Sequence, residues 1–482
     1  MYLGLDLGTS GVKALLIDGD GAVVAQSGAA LTVSRPEPLW SEQDPADWIA
    51  AAGGALDRLS AAHSLSGVAG IGLSGQMHGA ACLDAADTVL RPAILWNDGR
   101  AHEEAARMDA EGPFREITGN IVFPGFTAPK IAWMRSHEPD LFDRIAKVLL
   151  PKDYLRLWLT GAHVSEMSDA AGTSWLDMDR RDWSDDCLAA TGLERAQMPA
   201  LVEGSEPSGG LRAELARRWG IAADVPVAGG AGDNAATAVG VGVTQEGEGF
   251  VSLGTSGVLF AATQGFRPNA ESAVHTFCHA LPGRWHQMGV ILSAASALDW
   301  LSGVTGATAG ALADEIGDTP MAPGAVTFLP YLSGERTPHN DPGLTGTFDG
   351  LTHATGRADL TRAVLEGVTL ALRENLAALA KAGTSLERIT AVGGGSRSAY
   401  WLALIAAALR VEVDVPAAGE HGAALGAARL GALAAGRLAS EICAPPGIAR
   451  TVAPDPDIAD ALRARSDRFA ALRAAQQDRH RS

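Results

Sequence analysis

The stretch LGTSGV occurs twice in this chain, at residues 7–12 and again at residues 253–258. Each copy follows one short apolar run and precedes another, so each predicts a strand, a turn and a second strand. Repeats of fixed short period are typical of solenoids, whereas a single recurrence at half the chain length indicates two similar domains. We therefore expect both halves to contribute the same kind of loop to a site between them.

The bulk composition indicates a globular chain of two or three domains. The 482 residues exceed one ordinary core, and 47% of them are hydrophobic while 20% are charged. The net charge of −18 disfavours nucleic acid or an anionic membrane as the main partner, because both require a basic surface. An anionic small molecule is still compatible, since backbone dipoles and a metal ion act locally.

The cysteines and the first residues favour a reducing compartment. Cys82, Cys187, Cys278 and Cys443 are widely spaced, which predicts free buried thiols and neither a zinc site nor disulfides. The opening MYLGLDLGTS has no basic segment, and no run reaches the roughly 18 apolar residues that a membrane span needs. We expect a cytoplasmic protein.

The apolar patterning predicts two α/β halves of similar size. MYLGLDL, VKALLID and AVVAQSGAAL are typical of three strands joined by tight turns. Apolar residues at helical spacing from Leu360 to Leu379 predict a core-facing helix. The glycine- and acid-rich residues 240–249 indicate the domain boundary, and a last helix is expected from Ile458 to Leu472, fading into polar QQDRHRS.

The repeated loop has the composition of a phosphate-binding turn. Glycine lets a ligand approach the backbone, and successive N–H groups form an anion-binding nest. A plain hairpin turn is the alternative, and the identical second copy weakens it. The residues predicted to meet phosphate are Gly8, Thr9, Ser10, Gly254, Thr255 and Ser256.

Two aspartates adjoin glycine-rich loops and are candidates for chemistry. Asp6 precedes the first loop, where a carboxylate facing phosphate needs a cation between them; magnesium suits this position, and a turn-capping role is the alternative. Asp233 in GGAGDNAATAVGVG has very small neighbours. It suits either a helix N-cap or a general base that takes the proton from an attacking hydroxyl.

Further polar side chains lie in turns after buried strands. SGQMHG begins at Ser74 and predicts substrate contacts at the same strand-end level as the first loop, against the alternative that its histidine is incidental. WNDGR could add polar contacts. The candidates in these two turns are Gln76, Met77, His78, Trp96 and Asp98.

One more glycine loop, GGGSRS at residues 393–398, lies between a predicted strand and a predicted helix. It is similar to a nucleotide-binding element, but such loops are common. This loop lacks GxGxxG, and no GxxxxGK[ST] occurs anywhere in the chain, so the loop fits neither a Rossmann nor a Walker nucleotide site.

Taken together, these stretches resemble the FGGY family of carbohydrate kinases, a branch of the actin, hexokinase and heat-shock ATPase fold. The resemblance runs from Met1 to about Leu430 through LDLGTSGVK, GDNAATAVGVG, VSLGTSGV, GTFDGLTHATGRADLTRAVLEG and VGGGSRSAYW, in order and spacing. LTVSRPEPLWSEQDPADW, GLSGQMHGA, RPAILWNDGR, VLLPKDYLRLWLTG and LPYLSGERTPHNDP are similar to members of the family that phosphorylate xylulose.

The resemblance implies two ribonuclease-H-like α/β domains with a cleft between them for sugar and ATP. Residues 1–243 would form the sugar side, residues 244–440 the adenosine side, and residues 441–482 a helical tail. The implied reaction is ATP-dependent phosphorylation of D-xylulose to D-xylulose 5-phosphate with Mg²⁺. The implied partners are small molecules, and the resemblance allows a homodimer without indicating an interface.

The resemblance also implies roles for individual residues. Asp233 would accept the proton of the attacking hydroxyl, and Asp6 would handle metal and phosphate. The remaining implied roles are sugar contact for Met77, His78 and Asn234, phosphate contact for Gly254 and Thr255, and adenosine contact for Gly394 and Gly395.

Three alternatives remain open at this point. The first is a family member that acts on ribulose, glycerol, gluconate or a sugar such as fuculose, which fold-level motifs do not separate. The second is an actin-like ATPase, for which the chain shows no partner-binding module. The third is a sugar-binding regulator without catalysis, which the acids at positions 6 and 233 disfavour.

Overall fold

The computed structural model describes residues 1–417 and 422–481. Residues 418–421 of the predicted second domain and residue 482 of the predicted tail lie outside the described residues. The strands are β1 Tyr2–Leu7, β2 Gly11–Ile17, β3 Val23–Ala30, β4 Glu42–Gln43, β5 Gly70–Gly75, β6 Ala81–Leu83, β7 Ala93–Ile94, β8 Lys147–Leu149, β9 Val164–Glu166, β10 Leu176–Asp177, β11 Asp182–Trp183, β12 Ala200–Val202, β13 Pro207–Gly210, β14 Pro226–Ala228, β15 Ala231–Gly232, β16 Glu248–Leu253, β17 Gly257–Thr263, β18 His275–Cys278, β19 Trp285–Ile291, β20 Thr327–Leu329, β21 Thr347–Asp349, β22 Arg388–Val392, β23 Glu412–Pro416 and β24 Ile448–Val452.

The helices are α1 Pro45–Ala62, α2 His102–Glu111, α3 Phe114–Thr118, α4 Thr127–His137, α5 Pro139–Phe142, α6 Pro151–Thr160, α7 Met167–Ala170, α8 Asp185–Thr191, α9 Ala213–Trp219, α10 Asp233–Val241, α11 Ala295–Thr305, α12 Ala309–Ile316, α13 Arg357–Lys381, α14 Ala399–Leu409, α15 Gly422–Ala434, α16 Ala439–Ile442 and α17 Pro456–Arg481. Short 3-10 turns occur at Ala171–Thr173, Arg195–Gln197, Ala270–Ser272 and Gly394–Arg397.

Two large sheets share one strand arrangement. The first has the order β13-β14-β5-β1-β2-β3, with β15 also paired to β5, and the second has the order β18-β19-β17-β16-β22-β23-β24. In each, the central strand pairs antiparallel with the next strand of the chain and parallel with a later one: β1 with β2 and β5, β16 with β17 and β22. This arrangement confirms the predicted pair of α/β halves, and residues 242–247 connect them.

The two LGTSGV copies form hairpins that differ in register by one residue. Leu7 pairs with Val12 in the first hairpin, whereas Leu253 pairs with Gly257 in the second. Successive side chains of a strand alternate between faces, so a shift of one residue turns the following side chain to the other face. Val12 is accordingly buried, while Val258, at the matching place in the repeat, is only partly buried. The two copies are therefore identical in sequence but form hairpins of different geometry.

The first sheet is covered on one face by a helix from the other half of the chain. α1 and α6 pack on one side, and α10 and α15 on the other. A β carbon added to Gly72 would lie 1.7 Å from the carbonyl oxygen of Ala427, and one added to Gly70 would lie 2.1 Å from that of Gly431. Helix α15 therefore touches the strands backbone to backbone, and the packing unit of the first sheet includes residues 422–434.

The second sheet is covered in turn by the long segment inserted between β5 and β14. Phe126 of this segment lies against Phe277 of β18, with ring centroids 6.0 Å apart. The side-chain amide of Asn120 exchanges two hydrogen bonds of 2.9 Å with the main chain of Thr276 in the same strand. Because β18 is the edge strand, Asn120 satisfies backbone groups that the sheet leaves open.

The opposite face of the second sheet carries α13 and α14, and α17 packs against these two helices. Helix α13 confirms the helix predicted from its apolar stripe. The predicted last helix is present as α17, but the prediction that it fades at QQDRHRS is wrong, because the helix continues to Arg481. Gln476 is only 3% exposed and donates to the carbonyl of Thr345 over 2.9 Å, so a protein partner replaces the water that its amide would otherwise bind.

Two bulk expectations can be compared with the structure. The four cysteines are buried and free, as predicted. Across residues 1–417 and 422–481, none of the helices combines the length and the apolar character that crossing a membrane requires.

The contact between Gly72 and α15 predicts a strong effect of a single methyl group. We expect Gly72→Ala to lower the free energy of unfolding by about 3 kcal/mol, because the added carbon overlaps a backbone carbonyl that cannot move alone. Gly303→Ala is the matched control: this glycine is exposed in α11 with nothing within 4 Å of the added carbon. The control should gain about 0.5 to 1 kcal/mol from helix propensity. Urea unfolding curves measure both, and equal midpoints for Gly72→Ala and wild type would refute the contact.

Candidate active site

Three parallel strands of the first sheet end at one edge and bring distant loops together. Asp6 of β1 is in register with Ser74 of β5, and Ser74 is in register with Ala231 of β15. The loops that follow these strands are the first LGTSG loop, the SGQMHG turn and the start of α10. Ligands of open α/β sheets bind beyond the carboxyl ends of the parallel strands. This edge is therefore the candidate active site.

Two acids lie close to each other at this edge. Asp233 is the first residue of α10, and its carboxylate accepts hydrogen bonds from the main chain and the side chain of Asn234 over 2.7 and 3.0 Å. Burial, together with repulsion from the Asp6 carboxylate, raises the pKa of Asp233 to about 6. Burial also raises the pKa of Asp6, against the effect of a 2.8 Å hydrogen bond from the Ser74 hydroxyl. A carboxylate with a pKa near neutrality suits proton acceptance.

The same pair of acids bears on metal binding. No group of three or more His, Cys, Asp or Glu side chains poised to hold a metal ion occurs in the described part of the chain. Mg²⁺, however, is held by only one or two carboxylates together with water and substrate phosphates. The mutual repulsion of Asp6 and Asp233 is what a cation between them would relieve. The residues present therefore fit a magnesium site that is completed by a phosphate ligand.

Sequence reasoning missed Lys13, a cation beside these acids. Lys13 is the cross-strand partner of Asp6 and lines, with it and the first loop, a cleft of about 830 Å³. A comparison of the two repeat copies would have identified Lys13 from the sequence. The positions of Asp6 and Lys13 are occupied by Ser252 and Leu259 in the second copy, so only the first loop is flanked by charge.

The first loop is held by a network of side-chain amides. The Thr9 hydroxyl donates to Gln76 Oε1 over 2.9 Å and accepts from the indole N–H of Trp96 over 2.9 Å. Gln43 Nε2 donates to the Thr9 carbonyl over 2.8 Å, and Gln76 Nε2 donates to Gln43 Oε1 over 3.0 Å. Gln76 and Trp96, predicted to contact substrate, thus contact the first LGTSG loop. Trp96 is 45% exposed, so part of its ring remains accessible to solvent.

Asp98 is occupied by neighbours of its own. The carboxylate accepts two side-chain hydrogen bonds from Arg100, at 2.7 and 2.9 Å, and one from the N–H of Ser41 at 2.6 Å. The Arg100 guanidinium also lies over the Trp40 ring, 3.5 Å from its centroid. These contacts favour a structural role for Asp98 over the predicted substrate contact.

His78 has a fixed orientation at the candidate site. Its Nδ1 lies 2.7 Å from the carbonyl oxygen of Gly172, and its ring stacks on Phe126 at 4.6 Å. Because a carbonyl only accepts, Nδ1 carries the proton and Nε2 remains as an acceptor. Burial lowers the pKa of His78 to about 3, so the ring is neutral. Met77 packs beside it, and a β carbon on Gly232 would lie 2.8 Å from Met77 Cγ.

A buried ion cluster supports both His78 and Asp233 from behind. The Lys152 ammonium lies 3.3 Å from Glu166 and 3.2 Å from Asp169, and all three side chains are fully buried. Glu166 caps α7, and the Ser168 hydroxyl there accepts from the N–H of Gly232 over 3.1 Å. The cluster thus fixes the segment between the two candidate residues. Lys152 is 14 or more residues from its two acidic partners, so local sequence patterns do not predict the cluster.

The second LGTSG loop is attached to the start of α11. The carbonyl of Thr255 accepts from the N–H of Ala294 over 2.9 Å and from the hydroxyl of Ser296 over 2.7 Å. Thr255 itself is exposed. The loop is therefore anchored to α11 while the outward-facing Thr255 is accessible to a ligand.

The GGGSRS loop lies against the second LGTSG loop. Gly393 has a φ of 90°, a conformation that favours glycine, and a β carbon on Gly395 would lie 2.8 Å from that of Leu253. The two loops line a cavity of about 610 Å³, a volume typical of small-molecule sites. Asp299 and Arg397 are charged members of its lining. The structure thus brings Gly254, Thr255, Gly394 and Gly395 together, as expected from the sequence.

Known proteins match this chain over nearly its whole length. Models of the FGGY family of carbohydrate kinases match residues 1–240 with the N-terminal domain and residues 249–435 with the C-terminal domain. The xylulose kinase of Escherichia coli (strain K12) is 54% identical over 439 residues, 90% of either chain. That of Bacillus subtilis (strain 168) is 36% identical over 449 residues, 92% of this chain and 90% of the relative.

Solved structures give the same picture. A crystal structure from Brucella ovis, described as a xyloylose kinase, has a TM-score of 0.98 at 61% identity and covers 99% of both chains. The xylulose kinase structure from Rhodospirillum rubrum has a TM-score of 0.93 at 30% identity and covers 100% of both chains.

The proximity of the two acids predicts an observable titration. Proton uptake is measured potentiometrically for wild type and for Asp233→Asn. The difference between the two curves should show one titrating group with a midpoint near the Asp233 pKa of about 6. In an Asp6→Asn background the same difference should move to lower pH, because the repulsion that disfavours the charged form is removed. A midpoint at the ordinary aspartate value of about 4 in wild type would contradict both the burial and the proximity.

Proposed function

The chain belongs to the FGGY family of carbohydrate kinases, and from this membership we propose that it converts D-xylulose and ATP into D-xylulose 5-phosphate and ADP. Members of the family are ATP-dependent kinases. The observation that carries the choice of substrate is the 54% identity, over nine tenths of the chain, to a relative named xylulose kinase. The sugar-side turn SGQMHG, with its neutral and oriented histidine, is compatible with an uncharged polyhydroxylated substrate.

In the proposed reaction, Asp233 is the general base. Its carboxylate is ionised above a pH of about 6 and is positioned by Asn234, so it can accept the proton of the 5-hydroxyl as that oxygen attacks the γ-phosphorus. The bond between the γ-phosphorus and the bridging oxygen of ADP breaks as the new bond forms. Burial makes the carboxylate a stronger base than an ordinary aspartate, which favours proton transfer at neutral pH.

The sugar is proposed to lie against Met77, His78 and Asn234. Met77 offers an apolar surface beside Gly232, and His78 Nε2 can accept from a sugar hydroxyl. Asn234 lies next to the base and retains amide capacity for the substrate. Trp96 adds an exposed ring at the same edge, and Gln76 holds the first LGTSG loop through the hydrogen bond that it accepts from the Thr9 hydroxyl.

The phosphates are proposed to bind the two LGTSG loops and Lys13. The backbone N–H of Ser10 and those of the second loop would surround the transferred group, and the exposed Thr255 hydroxyl would donate to it. Gly8, whose own N–H is donated to the Gly11 carbonyl over 2.9 Å, would let the phosphate approach the backbone. Lys13 adds a positive charge next to the first loop. Gly394 and Gly395 would accommodate the adenosine in the 610 Å³ cavity, where a side chain would occupy the space.

Asp6, with Asp233 near it, is proposed to hold Mg²⁺ together with phosphate oxygens and water. When bound, the ion neutralises charge that develops on the transferred phosphate. One carboxylate oxygen of Asp6 accepts a hydrogen bond from the Ser74 hydroxyl, and this bond orients the carboxylate toward the loop. The predicted domain ranges, 1–243, 244–440 and 441–482, and the homodimer likewise stay proposals.

The substrate assignment predicts a clear preference in turnover. ADP release by the purified protein with MgATP should be at least about tenfold faster with D-xylulose than with L-ribulose, D-ribulose, glycerol or gluconate, a gap of roughly 1.4 kcal/mol. A reaction without sugar is the control. A preference for another polyol would keep the kinase and discard D-xylulose. Turnover that ignores every sugar would indicate an ATPase instead.

The base assignment predicts the effect of one substitution. Asp233→Asn should reduce kcat on the order of 10³-fold, because the amide cannot accept the proton, while the KM for D-xylulose changes little. Asp460→Asn, at an exposed ion pair of α17, is the matched control and should behave as wild type. Steady-state kinetics decide the matter, and activity of Asp233→Asn within about tenfold of wild type would sink the assignment.

A further inference from the structure

Lys130 is a fully buried lysine in the first turn of α4. Its Nζ donates a hydrogen bond of 2.7 Å to the main-chain carbonyl of His78. The hydroxyl of Thr127, the first residue of the same helix, donates to the same oxygen over 3.1 Å. A carbonyl oxygen has two lone pairs, so this one is fully used by α4.

Stability alone does not explain a lysine at this position. Moving an ammonium group out of water costs several kcal/mol, and well-packed apolar residues in place of buried charges are often neutral or stabilising. The acid that acts on Lys130 electrostatically is Asp98, which is already engaged by Arg100. Burial holds the pKa of the Lys130 amine well below its ordinary value. The hydrogen bond to His78 is the specific interaction that this costly side chain makes.

The backbone that Lys130 holds is itself strained. His78 has a φ of 69°, the left-handed conformation, which costs a residue with a β carbon roughly 1 to 2 kcal/mol. Such a conformation persists only where the surroundings enforce it. The carbonyl is held by α4 and the ring by Gly172 and Phe126, so both ends of His78 are fixed.

We propose that Lys130 is a positioning residue for the sugar: its Nζ fixes the peptide after His78 so that the imidazole Nε2 points at a substrate hydroxyl. The proposal rests on the sugar-binding role proposed above for His78. Lys130 does not touch substrate and takes no part in proton transfer. Its effect is therefore confined to the sugar side and leaves the nucleotide side unchanged.

The test is Lys130→Met, which keeps the length of the side chain and removes its donor. The KM for D-xylulose should rise about tenfold, since a displaced contact of an ångström or less is enough for such a loss. The KM for MgATP should stay within about twofold, and the melting temperature should not fall, because an apolar side chain replaces a buried amine. A purely structural lysine would instead change both KM values together or lower the melting temperature alone.

Lys147→Met is the matched control. Lys147 also donates to main-chain carbonyls, those of Ala196 and Met198, but it lies in β8 away from His78. This variant should retain both KM values. If Lys130→Met does not fold, Thr127→Val removes the weaker donor to the same oxygen and should raise the sugar KM about threefold. A sugar KM for either α4 variant that equals the wild-type value overturns the proposal.

A measurement without turnover separates this proposal from the substrate assignment. In protein labelled with ¹⁵N-histidine, the His78 ring nitrogens are assigned by their loss in His78→Gln. Wild type should show one neutral tautomer with the proton on Nδ1, and Lys130→Met should show a tautomer mixture or exchange broadening. An unchanged spectrum refutes the positioning role even if the protein phosphorylates another sugar. A changed spectrum in a protein that ignores D-xylulose refutes only the substrate.

Discussion

The parallel pairing of β5 with β1 and with β15 is the constraint on which the candidate active site depends. It brings three segments that are far apart in the sequence to one edge, so that Asp6 and Asp233 come close enough to repel each other. The repulsion and the burial act in the same direction on the pKa of Asp233. The sheet register therefore sets the chemistry of the site, because a slip of one residue would turn Asp6 to the other face.

Around this edge, buried hydrogen-bond and ion-pair partners hold the candidate residues in position. His78 stays uncharged, and its ring and its carbonyl have separate anchors. The cluster around Lys152 does the same for the segment that reaches both His78 and Gly232. Such buried polar groups contribute orientation more than stability.

Sequence patterns were sufficient to predict the loops, but they did not predict the hydrogen bonds and the strand register that hold these loops in place. The two LGTSG loops, the strands beside them and the stripe of α13 were predicted because each depends on residues next to one another. The register difference between the two hairpins was not, because identical letters are compatible with turns of three or four residues. Gln76 and Asp98 were predicted as substrate contacts from their polarity. The hydrogen bond of Gln76 goes to Thr9, which only the fold brings within reach, whereas Asp98 accepts from Arg100, two residues away in the same turn.

The backbone contact between α15 and the first sheet has a consequence for synthesis on the ribosome. Translation proceeds from the N-terminus, and domains generally fold as units as they emerge. The strands around Gly72 are complete early, but the helix that covers them comes more than 340 residues later. Until then one face of that sheet lacks its permanent cover, and the first half cannot finish folding by itself. The nascent chain thus has a long interval in which a chaperone or the growing second half must shield an apolar surface.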